Sequence, residues 1–141
     1  MADDVVLNKV AIIRRCVGRV REEYGKGAGT FAFDHTRQDA AIMNIQRACA
    51  ASLAVAQHIV RREKLGVPQS ARSALELLAK AGWLDEALLI SLKNMVGFRN
   101  IAVHEYQTLQ LPILVSIITK HMDDFLSFST AVLQKDASLS L

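Results

Sequence analysis

Two prolines and two cysteines in 141 residues exclude a proline-rich chain and a fold held by a disulfide framework. Cys16 and Cys49 form no C-x-x-C or metal-binding pattern, and they read as reduced thiols of a cytosolic protein. No stretch alternates apolar and polar residues long enough to suggest a strand, and no window approaches 18 uncharged apolar residues, which argues against a membrane span. Asp3 and Asp4 stand where a signal peptide would carry its basic stretch, and Ser138–Leu141 matches no lipidation signal. Excess charge is small: 17 Lys+Arg against 14 Asp+Glu leave a net +3, which permits an anionic partner without pointing to one. Apolar residues are plentiful. At 51% of the chain they can fill a real core, which excludes a disordered or low-complexity protein. The length is that of one domain, so residues 1–141 read as a single helical unit with disordered ends at about 1–3 and 136–141.

The apolar residues recur at helical spacing. Val6, Val10, Ile13, Val17, Val20 and Tyr24 form one stripe over about Asp4 to Tyr24, with Asp3 and Asp4 suited to its positive end. Gly25, Gly27 and Gly29 should stop it. Thr36 followed by Asp39 predicts an N-cap for a long second helix to about Lys64, ended by Gly66 and Pro68. Ser70 should cap a shorter helix that Gly82 ends. Asp85 should cap the next, with Leu84 and Leu89 as a hydrophobic staple, and that helix should continue towards Tyr106. Pro112 suits the first turn of a last helix, in which Leu114, Ile118, His121, Phe125, Phe128 and Val132 repeat the rhythm. The expected fold is all-α, an up-and-down bundle of four to five helices. In the second helix Ala40, Ala41, Met43, Val55 and Ile59 lie off the main stripe, and this apolar excess must be buried in a deep core or against another subunit; in a domain this small a homodimer is the expected place.

Little of the polar chemistry converges. His35, His58 and His121 are scattered without paired spacing, so no metal site is expected; His121 interrupts an apolar stripe and reads as a satisfied core histidine. The pairs Arg14-Arg15 and Arg61-Arg62 read as solvated helix faces, with phosphate contact as the functional alternative. The glycine run 25–29 follows no strand and matches no phosphate-binding loop. One cluster differs: Gly97-Phe98-Arg99-Asn100-Ile101-Ala102-Val103-His104-Glu105-Tyr106 gathers a permanent cation, an amide, a group that titrates near neutrality and a phenol. Such a set suits metal-free cleavage of an RNA phosphodiester: a histidine moves the proton and an arginine holds the phosphate. Arg99 and His104 diverge by about 140° on an ideal helix, whereas Asn100 and His104 share a face. A polar patch at a helix end is the competing reading.

The run Arg99–Tyr106 resembles the R-x4-H-x-Y motif of HEPN-domain ribonucleases, specifically the HepT-like toxins. The resemblance extends over nearly the whole chain: the capped second helix, the break at Gly66-Val67-Pro68-Gln69-Ser70, the segment Lys93–Gly97 and the helix after Leu111-Pro112. It implies a homodimer in which two copies of the motif face each other across the two-fold axis, so that Arg99 and His104 from different chains meet. It further implies RNA cleavage without a metal or cofactor, leaving a cyclic phosphate end, with Asn100 supporting the site. The partner implied is a nucleotidyltransferase antitoxin, and Tyr106 would accept the AMP that it transfers. A non-catalytic HEPN module docking onto such a partner, and a plain dimeric interaction protein, are the alternatives; Arg99 and His104 together favour the enzyme.

Overall fold

The computed structural model describes residues 3–26, 29–104 and 111–139, with side chains in the second stretch as far as Asn100. Among them there is no strand. The elements are α1 (Asp4–Lys26), a 3-10 turn (Phe31–Phe33), α2 (His35–Arg62), α3 (Ala71–Lys80), α4 (Glu86–His104), α5 (Leu111–Lys120) and α6 (Met122–Leu139). The all-α expectation holds, with six α-helices where four to five were expected.

The long helix α2 is the centre of the bundle, packing along α1 and against α3, α4 and α6. Its position explains its composition. Ala41, Val55 and Ile59, which lie off the main stripe, are fully enclosed, and so are Ala48 and Ala56. The apolar excess is therefore consumed inside the protomer and gives no argument for a dimer; of the five off-stripe residues only Met43 is a large exposed side chain. Periodicity tells which faces are apolar but not how many neighbours cover them.

α1 buries its predicted stripe, Val6 through Val20. It runs through Gly25 to Lys26, past the expected stop, because Arg19 bridges Glu22 and Glu23 and Lys26 closes on Glu22 at 2.6 Å, pairs one turn apart that favour another turn of helix. Tyr24 meets Phe31 edge-on at 5.1 Å and draws the connection back onto the core.

The cap of α2 is Asp34, not Thr36. Asp34 is extended (φ −107°, ψ 92°) and its carboxylate accepts from the Arg37 N–H at 3.1 Å, whereas Thr36 is exposed inside the first turn. α2 ends at Arg62, and the chain turns through Lys64 at φ +53° and Gly66 at φ +141°. At Gly66 a side chain would meet both a left-handed backbone and Leu77 Cδ2, 3.1 Å from a Cβ, so only glycine fits without strain.

Ser70 caps α3 in a reciprocal box with Ser73, and the Asp85 carboxylate accepts from the Leu88 N–H at 2.8 Å to start α4, as expected. The expected single last helix is interrupted at His121. There the Asp124 N–H donates to the His121 carbonyl and the Asp124 carboxylate meets the ring at 3.1 Å, so Asp123 and Asp124 open a new helix at its positive end. The apolar stripe survives the break, with Leu114, Ile118, Phe125, Phe128 and Val132 all buried.

Of the ends expected to be disordered, Asp3 and 136–139 are among the described residues, and 1–2 and 140–141 lie outside them. Asp3 caps α1, accepting from Val5 and Val6 N–H groups, and α6 continues to Leu139 with Asp136 buried. Both acids bind Arg62 of α2, Asp3 at 2.8 Å and Asp136 at 2.8 Å.

Candidate functional site

α4 carries the motif as far as His104, and its helical register sorts those residues. Leu92, Met95 and Val96 are buried against the bundle. Arg99 follows Leu92 and Met95 by seven and four residues, so it continues the inward stripe and is partly buried. It stands beside α2, where its charge acts on Cys49. Burial pushes the Cys49 thiol up to about 11, and the Arg99 guanidinium opposes that shift without cancelling it. Cys49 also approaches the Met95 carbonyl at 3.7 Å, which ties α2 to α4 one turn before Arg99. Arg99 has no carboxylate partner among the described residues, so its charge remains available.

Asn100, one residue on, is exposed. Position 104 lies one turn beyond it on the same face, about 140° from Arg99. The structure thus brings Asn100 and position 104 to one face and directs Arg99 to another. The His104 side chain and the whole of Tyr106 lie outside the described residues.

A further helix, α3, approaches α4 here. From α3, Glu76 pairs with Lys93 at 2.7 Å. Arg72 donates from Nε to the Lys93 carbonyl at 3.4 Å and reaches over Gly97, where its Nη2 would lie 3.0 Å from an added Cβ.

A family profile for HepT-like ribonucleases matches residues 13–132. The chain belongs to the HepT-like ribonucleases. Among curated proteins, the mRNA nuclease HepT of Shewanella oneidensis is 45% identical over 126 residues, covering 89% of this chain and 94% of that protein. Among solved structures, a tri-AMPylated Shewanella oneidensis HEPN toxin in complex with its MNT antitoxin superposes with a TM-score of 0.89 at 43% identity, over 94% of this chain and 99% of that one. A toxin–antitoxin structure with AMP-PNP superposes with a TM-score of 0.87 at 43% identity, over 93% of this chain and 99% of that one.

The other residues singled out in this HepT-like chain have structural surroundings. His121 is not a core histidine; its side chain is 46% exposed and paired with Asp124, because it sits at the α5–α6 break rather than inside a helix. His35 is exposed at the start of α2, and Arg14, Arg15 and Arg61 are exposed. Arg62 departs from the expected solvated face. Its guanidinium binds Asp3, Asp136 and Glu63 and lies 5.8 Å from the centre of the Trp83 ring, while His58 Nε2 meets Asp3 at 2.6 Å. Burial alone would raise the Asp3 carboxyl, but bonds from His58, Arg62 and the Val6 N–H outweigh it and hold the group well below the usual carboxylate range. No local spacing signals this network, since its members stand 55 and 59 residues apart. It joins the start of α1 to the ends of α2 and α6, beside the entrance to α4. The motif is at the other end of α4, about 27 Å along a helix of this length. No group of three or more potential ligands suited to a metal occurs among the described residues, and no described helix is long and apolar enough to cross a membrane.

Proposed function

We propose that this chain is the toxin ribonuclease of a toxin–antitoxin module, working as a homodimer in the cytoplasm on RNA and needing neither metal nor cofactor. The observation that carries this reading is the likeness over nearly the whole chain to a protein named as an mRNA nuclease, combined with the polar motif on α4. The likeness to a toxin held by an MNT antitoxin supports a nucleotidyltransferase as the partner.

In this reading His104 takes the proton from an RNA 2′-hydroxyl, and the freed oxygen attacks the adjacent phosphorus. The bond from phosphorus to the 5′-oxygen breaks, that oxygen takes the proton back from the His104 imidazolium, and a 2′,3′-cyclic phosphate remains. Arg99 holds the phosphate and stabilises the charge that grows on its oxygens. Asn100, on the face of position 104, orients the site. Because Arg99 and position 104 diverge within one chain, a two-fold partner supplies the missing member of each pair. Tyr106 accepts AMP from the antitoxin, and the added phosphate and base obstruct a cleft built for RNA.

Incubation of the purified protein with RNA in saturating EDTA tests this. Cleavage should persist, should leave cyclic phosphate ends, and should vanish in His104→Ala and Arg99→Ala without loss of helical content. Full cleavage by His104→Ala would contradict the assignment.

A further inference from the structure

Lys93, Gly97, Asn100 and position 104 succeed one another by four, three and four residues, so they fall within about 60° of one face of α4. Arg99 is on another side. Lys93 is engaged by Glu76, and a second cation reaches this face from α3: Arg72, whose Nη2 occupies the space over Gly97 and whose Nε donates to the Lys93 carbonyl.

A structural role accounts poorly for Arg72. Its side chain is exposed and its one bond among the described residues is a long one, at 3.4 Å. Glu76, one turn further along α3, would be its natural ion-pair partner, yet Glu76 is taken by Lys93 at 2.7 Å. Arg72 has no carboxylate partner among the described residues. It also stands in the first turn of α3, where the helix dipole disfavours a cation. Gly97 is unusual as well, since glycine inside a helix weakens it, and here the Arg72 guanidinium lies directly over it, 3.0 Å from where a Cβ would stand. An arginine held by one nitrogen keeps its other donors free as a planar fork, the geometry that matches phosphate oxygens.

We propose that Arg72 is a phosphate-binding residue of the ribonuclease site, held on α4 by the Lys93 carbonyl with its guanidinium over Gly97. It rests on the reading of the site given above. Gly97 precedes position 104 by about 10 Å along the helix, so Arg72 holds the RNA backbone beside the bond that is cleaved rather than at it. It is a binding residue and takes no part in proton transfer.

The test uses the non-cleaving His104→Ala protein and a fluorescein-labelled single-stranded RNA of mixed sequence, with affinity read by anisotropy over a salt series. Arg72→Ala should weaken binding roughly three- to tenfold and reduce the slope of log affinity against log salt by about 0.7, the loss of one phosphate contact. Arg72→Lys should restore much of the salt slope but only part of the affinity, because it keeps the charge and loses the fork. Gly97→Ala should change affinity by less than about twofold with unchanged or higher melting temperature, since the flexible guanidinium need give only a few tenths of an ångström to the added Cβ. In the cleaving protein, Arg72→Ala should raise KM and leave kcat within about twofold. Unchanged affinity and salt slope in Arg72→Ala, or a loss confined to kcat, would overturn the proposal. Cleavage surviving in His104→Ala would instead contradict the site itself, so the two failures are distinguishable.

Discussion

Replacing Arg62 by Met removes one cation from three carboxylates and leaves a side chain of similar length. Arg62 is 27% exposed, while Asp3 and Asp136 are 16% and 12% exposed, so the pairs are mostly but not wholly screened from water. Breaking a fully buried pair costs about 3–5 kcal/mol because a charge is left uncompensated. Partial exposure of Arg62, and the His58 contact that Asp3 retains, reduce this to about 2–3 kcal/mol. For a domain of this size each kcal/mol shifts the melting temperature by about 3 °C, so Arg62→Met should melt about 6–9 °C lower at pH 7. The pH dependence has a definite sign. Asp3 is depressed in the folded protein, so its contribution is complete above its unfolded pKa, near 4, and is lost as pH falls below that. The gap between wild type and variant, followed by circular dichroism at 222 nm, should therefore be constant from pH 7 to 5 and narrow below pH 4. RNA cleavage at 25 °C should be unchanged, since the network and the motif are at opposite ends of α4. A shift under about 2 °C at pH 7, or a gap that widens in acid, would refute the reasoning.

Other expectations follow from the caps and the motif. Ser70→Ala removes the acceptor of the Ser73 N–H and should cost about 1 kcal/mol, a fall of about 3 °C in melting temperature, with faster amide exchange at the start of α3. Tyr106→Phe should keep cleavage and stability while making the toxin insensitive to its nucleotidyltransferase with ATP. Intact-mass measurement should find AMP additions on the wild type and none on this variant; additions persisting on the Phe protein would contradict the assignment.

Much of the bundle was legible because its signals are local. Four-three spacing marked the buried stripes of α1 and of the α5–α6 segment, and Ser70 and Asp85 announced their helices. The misreadings come where apolar rhythm is silent, at turn geometry, at side-chain bonds beside a break and in tertiary packing. Asp34 outcompetes Thr36 as a cap because the 3-10 turn before it sets an extended backbone at that residue. The break at His121 depends on the Asp124 carboxylate folding back on the ring, which an unbroken apolar rhythm conceals. The surplus on α2 looked like dimer surface, and it is instead the mark of a helix surrounded within its own protomer. In the site, the separation of Arg99 from Asn100 and position 104 was readable from helical angles alone. The approach of Arg72 to Gly97 was not, since α3 reaches α4 only through the tertiary fold, although a glycine inside α4 and a cation at the start of α3 were its traces.

The central claim is that Arg99 and His104 act together across a two-fold axis. Co-expressing Arg99→Ala and His104→Ala chains under two different tags, and purifying through both, isolates the mixed dimer. If each site joins Arg99 of one protomer to His104 of the other, that dimer holds one intact pair and one doubly defective pair, and it should cleave RNA at roughly half the wild-type rate while both parent homodimers are inactive. A mixed dimer as inactive as its parents, or a wild-type protein that sediments as a monomer while fully active, would contradict the account.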